Sequence, residues 1–353
     1  MAAMKDKLRF AVIGAGGIGL HHLASIQSCP RAELVAIAET NPQRAKKAVD
    51  RFPGIRIFTD YRKLLRDDGV DAVSIALPNY LHAPVALAAL RAGKHVHLDK
   101  PFALSARQAA AVIAAARKAR RVFMVGQNWR FTPDAQTLKL LIDQGALGEI
   151  YHGRAWYIRR SGIPRIGSWF TQKKYAGGGV LLDIGVHILD AALYLMNNFL
   201  PVSVTGFTHA KFGPHGQGNG SWGLSEVDPK AVFDVEDYAG ALIKLRGGQT
   251  LFLEVAWAAH LPEPDHGIQL FGTEGGGRIT PARIYRRSAG LPAYEVVTPE
   301  NMPLPYPTDR LHHFADCVLD GKPPMVRPEQ SLAVQRILDA LYKSAATGRE
   351  VRL

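Results

Sequence analysis

Up to about residue 127, short apolar runs alternate with amphipathic, alanine-rich stretches of helical length. The runs at 8–13, 33–38, 55–58, 72–77, 95–98 and 122–125 show no strict polar alternation, which predicts strands buried on both faces of a parallel sheet. Helix starts are marked between them: Asn41 with Pro42 supplies a cap and a first-turn proline, Asp60 caps the next helix, and Ser105 caps the alanine-rich one. This rhythm predicts a doubly wound α/β sheet.

Beyond residue 129 the pattern changes to longer strand-like stretches at 151–158, 202–209, 238–245, 250–257 and 267–271. Arg246-Gly247-Gly248-Gln249 reads as a hairpin turn between two of them. One helix is expected at 179–197 and two more at 307–319 and 328–347, while 213–223 reads as a long surface loop. Strands in sequence order joined by hairpins predict an α+β domain with a large, mostly antiparallel open sheet. The expected division is 1–128 and 129–353, with the C-terminal helices able to pack back on the first domain.

Length agrees with two domains, since 353 residues exceed what one core usually organises. The net charge of +12 raises nucleic-acid binding as a class. Its densest cluster, Arg117, Lys118, Arg120 and Arg121, instead ends a predicted helix, where cations complement the dipole, and no reading helix or base-stacking motif accompanies it. Cys29 and Cys317 lie far apart without metal-type spacing, so neither a disulfide framework nor a metal site is expected. No uninterrupted apolar run reaches a membrane span, and residues 1–7 lack the pattern of a secretory signal, so a cytoplasmic protein is expected.

The first strand runs into Gly14-Ala15-Gly16-Gly17-Ile18-Gly19, after which a helix is expected to open at His21. The first glycine permits a tight turn, the second admits a pyrophosphate to the backbone, and the third allows close helix–strand packing. Phosphate charge then meets the helix N-terminus. Glu39, at the end of the second strand and twenty residues past Gly19, suits a ribose 2′-hydroxyl and repels a 2′-phosphate, favouring NAD over NADP. Arg44 acts in the opposite sense.

Three further motifs follow: Leu77-Pro78-Asn79-Tyr80-Leu81-His82, Leu98-Asp99-Lys100-Pro101, and the run from Gly177 through Asp183 to His187. With the glycine loop, and in this order over nearly the whole chain, they resemble the glucose-fructose oxidoreductase, inositol dehydrogenase and rhizopine-catabolism family (Gfo/Idh/MocA). Asp99 stands where the family usually has glutamate. The resemblance implies that Lys100 touches both the nicotinamide ribose and the reacting hydroxyl, and that Thr40, Leu77, Pro78, Asn79, His82, Asp99 and Gln127 surround the cofactor. It also implies a homodimer or homotetramer paired through the open face of the second sheet.

Asp183, His187 and Asp190 fall at i, i+4 and i+7, one polar stripe of the predicted helix, beside an apolar stripe of Ile184, Ile188, Ala191 and Leu195. Taken alone, such a pair is more often structural; the match to the family motif makes it catalytic. Oxidising a carbinol requires a base near neutrality, and histidine, with an ordinary pKa of about 6.5, fits. The expected roles are His187 as general base, Lys100 as the cation at the developing alkoxide, and Asp183 as the group that positions hydroxyl or lysine.

Trp129, Arg130, Trp156, Arg159 and Asp190 are expected to line the substrate pocket, aromatic faces and arginines suiting a polyhydroxylated ring. The leading reading is a dehydrogenase oxidising a secondary ring hydroxyl of a sugar, glycoside or inositol. A glycosidase working by transient oxidation and elimination, and a sugar-binding sensor, are the alternatives.

Overall fold

The computed structural model describes residues 6–220, 223, 225–288, 291–296 and 302–353. Residues 1–5 of the N-terminal stretch, and 221 and 222 of the expected 213–223 loop, lie outside the described residues. The chain divides into two compact units. The first takes the chain up to Gly126 with Gly223–Glu226 and Asp309–Leu332, and the second takes Gln127–Trp222, Val227–Thr308 and Ala333–Leu353.

In the first unit β1 (Leu8–Ile13), α1 (Gly17–Ser28), β2 (Ala32–Ala38), α2 (Pro42–Arg51), β3 (Arg56–Phe58), α3 (Tyr61–Leu65), β4 (Ala72–Ile75), α4 (His82–Arg91), β5 (His95–Leu98), α5 (Ala106–Ala119) and β6 (Phe123–Val125) follow in turn. The strands form one sheet in the order β3-β2-β1-β4-β5-β6, with every pairing parallel. The order reverses between β1 and β4, which is where such sheets open a crevice for ligands. The expected caps form: the Asn41 side chain accepts from the Gln43 and Arg44 N–H groups, Asp60 from Arg62, and Ser105 from Gln108. The basic cluster behaves as a helix end, with Arg117 and Lys118 in the last turn of α5 and Arg117 paired with Glu329 at 2.7 Å.

The helix after the glycine loop begins at Gly17, not at His21 as expected. Gly17, Ile18 and Gly19 already form its first turn. Gly19 must lie there because a Cβ would come 2.0 Å from the Gly14 carbonyl oxygen.

The second unit contains α6 (Pro133–Asp143), β7 (Ile150–Ile158), α7 (Lys173–Ala176), α8 (Val186–Leu195), β8 (Pro201–His209), β9 (Tyr238–Leu245), β10 (Thr250–Ala256), β11 (Asp265–Gly272), β12 (Gly276–Ile279), β13 (Arg283–Ser288) and β14 (Leu291–Val296). The chain ends with α9 (Arg310–Asp320) in the first unit, α10 (Pro328–Thr347), and β15 (Val351–Arg352) in the second. The second sheet runs β14-β13-β12-β11-β7-β10-β9-β8-β15. The β9–β10 hairpin turns through Gly247 and Gly248, at φ of +87° and +91°. Strand order differs from simple succession, since β7 lies between β10 and β11 and pairs parallel with β10. The chain leaves β7, lays α8 on one face, and returns through β8, so the partners of β7, β10 and β11, lie beyond two further strands in the sequence.

The segment Lys173–Leu195 is long and apolar enough by composition to cross a bilayer, and 89% of its most apolar 18-residue window is buried within the fold. Ile188, Leu189, Ala192 and Leu195 from it join Ala155, Leu253, Val255 and Leu270 of the sheet in one core. Gly213, the first residue of the expected surface loop, is buried, and the buried Asp237 carboxylate accepts from its N–H and from those of the preceding Lys211 and Phe212.

Candidate active site

Gly14 turns at φ +95°, and a side chain there would strike the Ala76 carbonyl oxygen at 2.4 Å. Gly16, in contrast, has open space where a Cβ would stand, and α1 carries no side-chain cap. An uncapped helix N-terminus behind a backbone that a ligand can approach is the arrangement a pyrophosphate requires. Glu39 is buried, its Oε2 accepting from Ala15 N–H at 2.8 Å and its Oε1 from Asn41 N–H at 2.9 Å. A carboxylate has about four acceptor positions, so capacity for ribose hydroxyls is left. Thr40 beside it is exposed. Arg44 lies between two carboxylates, 3.6 Å from Glu39 and 3.5 Å from Glu226.

At the ends of β4 and β5, Leu77, Pro78 and Lys100 are partly exposed, while Asn79 and Asp99 are buried. The His82 ring is buried between two carbonyls, with Nδ1 2.6 Å from Pro101 O and Nε2 2.7 Å from Leu77 O. It therefore ties the Asn79 loop to the Lys100 loop.

In the second unit the run 178–193 is buried at every position but one, His187, which is partly exposed. A π-helical turn at Leu181–Gly185 precedes α8, where a continuous α-helix was expected. Its entry is organised by Glu236, whose buried carboxylate accepts from Gly179 N–H at 2.9 Å, Leu181 N–H at 3.0 Å and the Tyr342 hydroxyl at 2.8 Å. Burial pushes the Glu236 carboxyl above its ordinary range, and these donors pull against it. The consecutive glycines follow from the crowding. A Cβ on Gly178 would lie 1.9 Å from the Tyr342 hydroxyl, and one on Gly179 2.0 Å from the Glu236 carbonyl. Within the π turn, Asp183 Oδ2 accepts from the Trp257 indole N–H at 2.8 Å.

Three expected pocket residues are corrected. Arg130 and Asp190 are fully buried and paired bidentately, Nε to Oδ2 at 2.7 Å and Nη2 to Oδ1 at 2.6 Å. The guanidinium also stacks 5.0 Å from the Tyr194 ring and 4.9 Å from Phe199. Burial pushes the Asp190 carboxyl up while Arg130 pulls it down. The pair belongs to the core between α8 and the segment after Gln127, so the stripe Asp183-His187-Asp190 does not present its last member to a ligand.

Trp156 is the other correction. Neighbouring residues of a strand face opposite ways, and Ala155 faces the core under α8, so Trp156 faces away, sandwiched by Arg154 and Arg278 at 4.9 and 5.4 Å. Tyr157 takes the place expected of it, in an aromatic cluster with Trp129 at 5.9 Å and His266 at 5.1 Å, and Arg159 lies over its ring. Sequence reasoning missed Tyr157, Trp257 and His266, although the alternation of β7 around Ala155 carried the signal for the first. Gln127 is buried and its Oε1 has no hydrogen-bond partner.

Residues 8–127 match the oxidoreductase family with an NAD-binding Rossmann fold, and residues 135–278 match the Gfo/Idh/MocA C-terminal domain. The chain is 34% identical over 358 residues to D-glucoside 3-dehydrogenase of Escherichia coli K12, covering 100% of this chain and 99% of that one. It is 33% identical over 284 residues to levoglucosan dehydrogenase of Pseudarthrobacter phenanthrenivorans, covering 76% and 73%. Among solved structures, a levoglucosan dehydrogenase in complex with NADH and levoglucosan superposes with a TM-score of 0.85 at 26% identity, over 98% of this chain and 99% of that one. With a glycine loop and buried acid built for a dinucleotide, a second unit carrying Asp183 and His187, and likeness along its full length, the chain belongs to the Gfo/Idh/MocA oxidoreductase family and carries its NAD-binding Rossmann domain.

Proposed function

We propose that this protein oxidises a secondary ring hydroxyl of a neutral sugar, glycoside or inositol to the ketone, or runs the reverse reduction. Bound NAD supplies the hydride acceptor. His187 takes the hydroxyl proton, Asp183 orients that hydroxyl, and Lys100 stabilises the charge that develops on its oxygen. The observation that carries the reading is the partial exposure of His187 alone in an otherwise buried run, four residues after a carboxylate anchored by the Trp257 indole. A base must meet its substrate, whereas a structural histidine in this core gains nothing from exposure. Asp183 disfavours an anionic substrate, and the names of the two sugar dehydrogenases support a sugar. Trp129, Tyr157 and Arg159 offer the aromatic and donor surfaces that a polyhydroxylated ring uses.

NAD is preferred to NADP because the buried Glu39 repels a 2′-phosphate and Arg44 is already held between Glu39 and Glu226. Buried, unpaired Cys29 and Cys317 suit a reducing cytoplasm. The face of the second sheet opposite α8 exposes Phe207 and Leu242, each at 40%, and a second copy covering it gives a dimer or tetramer.

The test is a screen of pyranosides and inositols with NAD, read by NADH absorbance. A neutral polyol should be oxidised, with kcat/KM for NAD at least roughly tenfold above that for NADP. His187→Ala should lower kcat by roughly 10² to 10⁴ and leave NAD affinity within a few fold. Near-native turnover in His187→Ala would place the base elsewhere.

A further inference from the structure

Beneath the carboxyl ends of β4, β5 and β6 lies a buried polar chain that neither the glycine loop nor the catalytic assignment uses. Arg310 Nη2 is 2.9 Å from His22 Nε2, Ser74 Oγ is 2.9 Å from His22 Nδ1, and the same Oγ is 2.9 Å from His97 Nδ1. His22, Ser74 and His97 are all buried. Arg310 also faces Asp99, Nη2 to Oδ1 at 3.7 Å.

The proton on His22 can be placed by elimination. A guanidinium only donates, so His22 Nε2 accepts and its Nδ1 carries the hydrogen. Ser74 Oγ accepts that hydrogen and keeps a second lone pair and its own hydrogen for the contact with His97 Nδ1. Both rings must be neutral, and burial followed by the Arg310 cation holds both well below the ordinary histidine range. Space is as constrained as protonation: a Cβ on Gly126 would lie 2.9 Å from His97 Nε2 and 3.0 Å from Arg310 Nε. Arg310 is itself anchored, since Asp309 caps α9 through Leu311 N–H at 2.7 Å and accepts from Ser25 of α1 at 2.6 Å.

His22 lies on α1, whose first turn belongs to the glycine loop, and Asp99 immediately precedes Lys100. We propose that Arg310 is a positioning residue of the dinucleotide site, locking α1 to the end of β5 so that the glycine loop and the Lys100 loop keep their relative placement. The side chain comes from α9, more than 200 residues from the motifs it serves. Its guanidinium balances the Asp99 carboxylate, and its single fork reaches two elements that a shorter or neutral side chain cannot bridge.

The test does not depend on the identity of the sugar. Long-range proton–nitrogen spectra of histidine-labelled protein should show His22 as the Nδ1–H tautomer. Arg310→Met should release His22 to the commoner Nε2–H form and weaken NADH binding, measured by fluorescence, by roughly tenfold or more, as displaced binding groups do. Arg310→Lys, which keeps the charge and a donor but not the fork, should recover only part of that loss. His22 found as the Nε2–H tautomer in the unmodified protein would overturn the proposal even if Arg310→Met does not fold. So would an Arg310→Met protein that melts earlier but binds NADH with native affinity, because that outcome describes a structural residue only.

Discussion

Arg130 and Asp190 show how much a residue's meaning depends on what surrounds it. In the sequence, an arginine after a strand and an aspartate on a helix stripe are both good pocket residues; in the fold they neutralise each other at zero exposure. Removing one partner leaves a buried charge without compensation, so Arg130→Met should destabilise the protein by about 3–5 kcal/mol. Chemical denaturation measures this directly. If Arg130 contacted substrate instead, the variant would keep its stability and lose KM. Trp156 and Tyr157 differ by one position and face opposite sides of the sheet, so the choice between them turned on the face that Ala155 occupies.

Among the elements, the entry to α8 departs furthest from what helical spacing implies. A π turn widens the helix around Asp183, the proposed orienting group, and such turns recur at functional sites. Here the cause is visible: Glu236 takes the N–H groups of Gly179 and Leu181, setting the start of the helix from the β9 side. Gly179→Ala would drive a methyl into the Glu236 carbonyl and should cost about 2 kcal/mol or more in denaturation experiments, with a parallel loss of kcat as Asp183 shifts. An unchanged denaturation midpoint would mean that the turn is not held by this contact. The glycine loop is the opposite case, since its local pattern carries nearly all of its geometry.

For the whole molecule, the nine-stranded sheet carries the surface of the proposed pairing. Phe207 lies flat over Gly240, whose Cβ would meet its ring at 2.6 Å, and Leu242 extends the same apolar surface. Leu242→Arg should convert the assembly to single chains in sedimentation experiments while NADH binding by the first unit persists. A native protein that sediments as a monomer would reject the proposed pairing.

What the sequence by itself determined are the features whose physics is local. These are the buried parallel strands with their capped helices, the glycine turn with its acid twenty residues on, the β9–β10 hairpin, and the order of motifs that marks the family. Each is written in neighbouring residues, because a left-handed turn, a cap or a buried strand imposes its own composition. Tertiary structure alone decided which polar residues became internal. The pairing of Arg130 with Asp190, the contact of His82 with Pro101, the parallel insertion of β7, the Glu236 cap and the reach of Arg310 to His22 all join residues of different elements, most of them far apart in the chain. Their partners are fixed only when the sheets assemble, and burial then requires each polar group to find one.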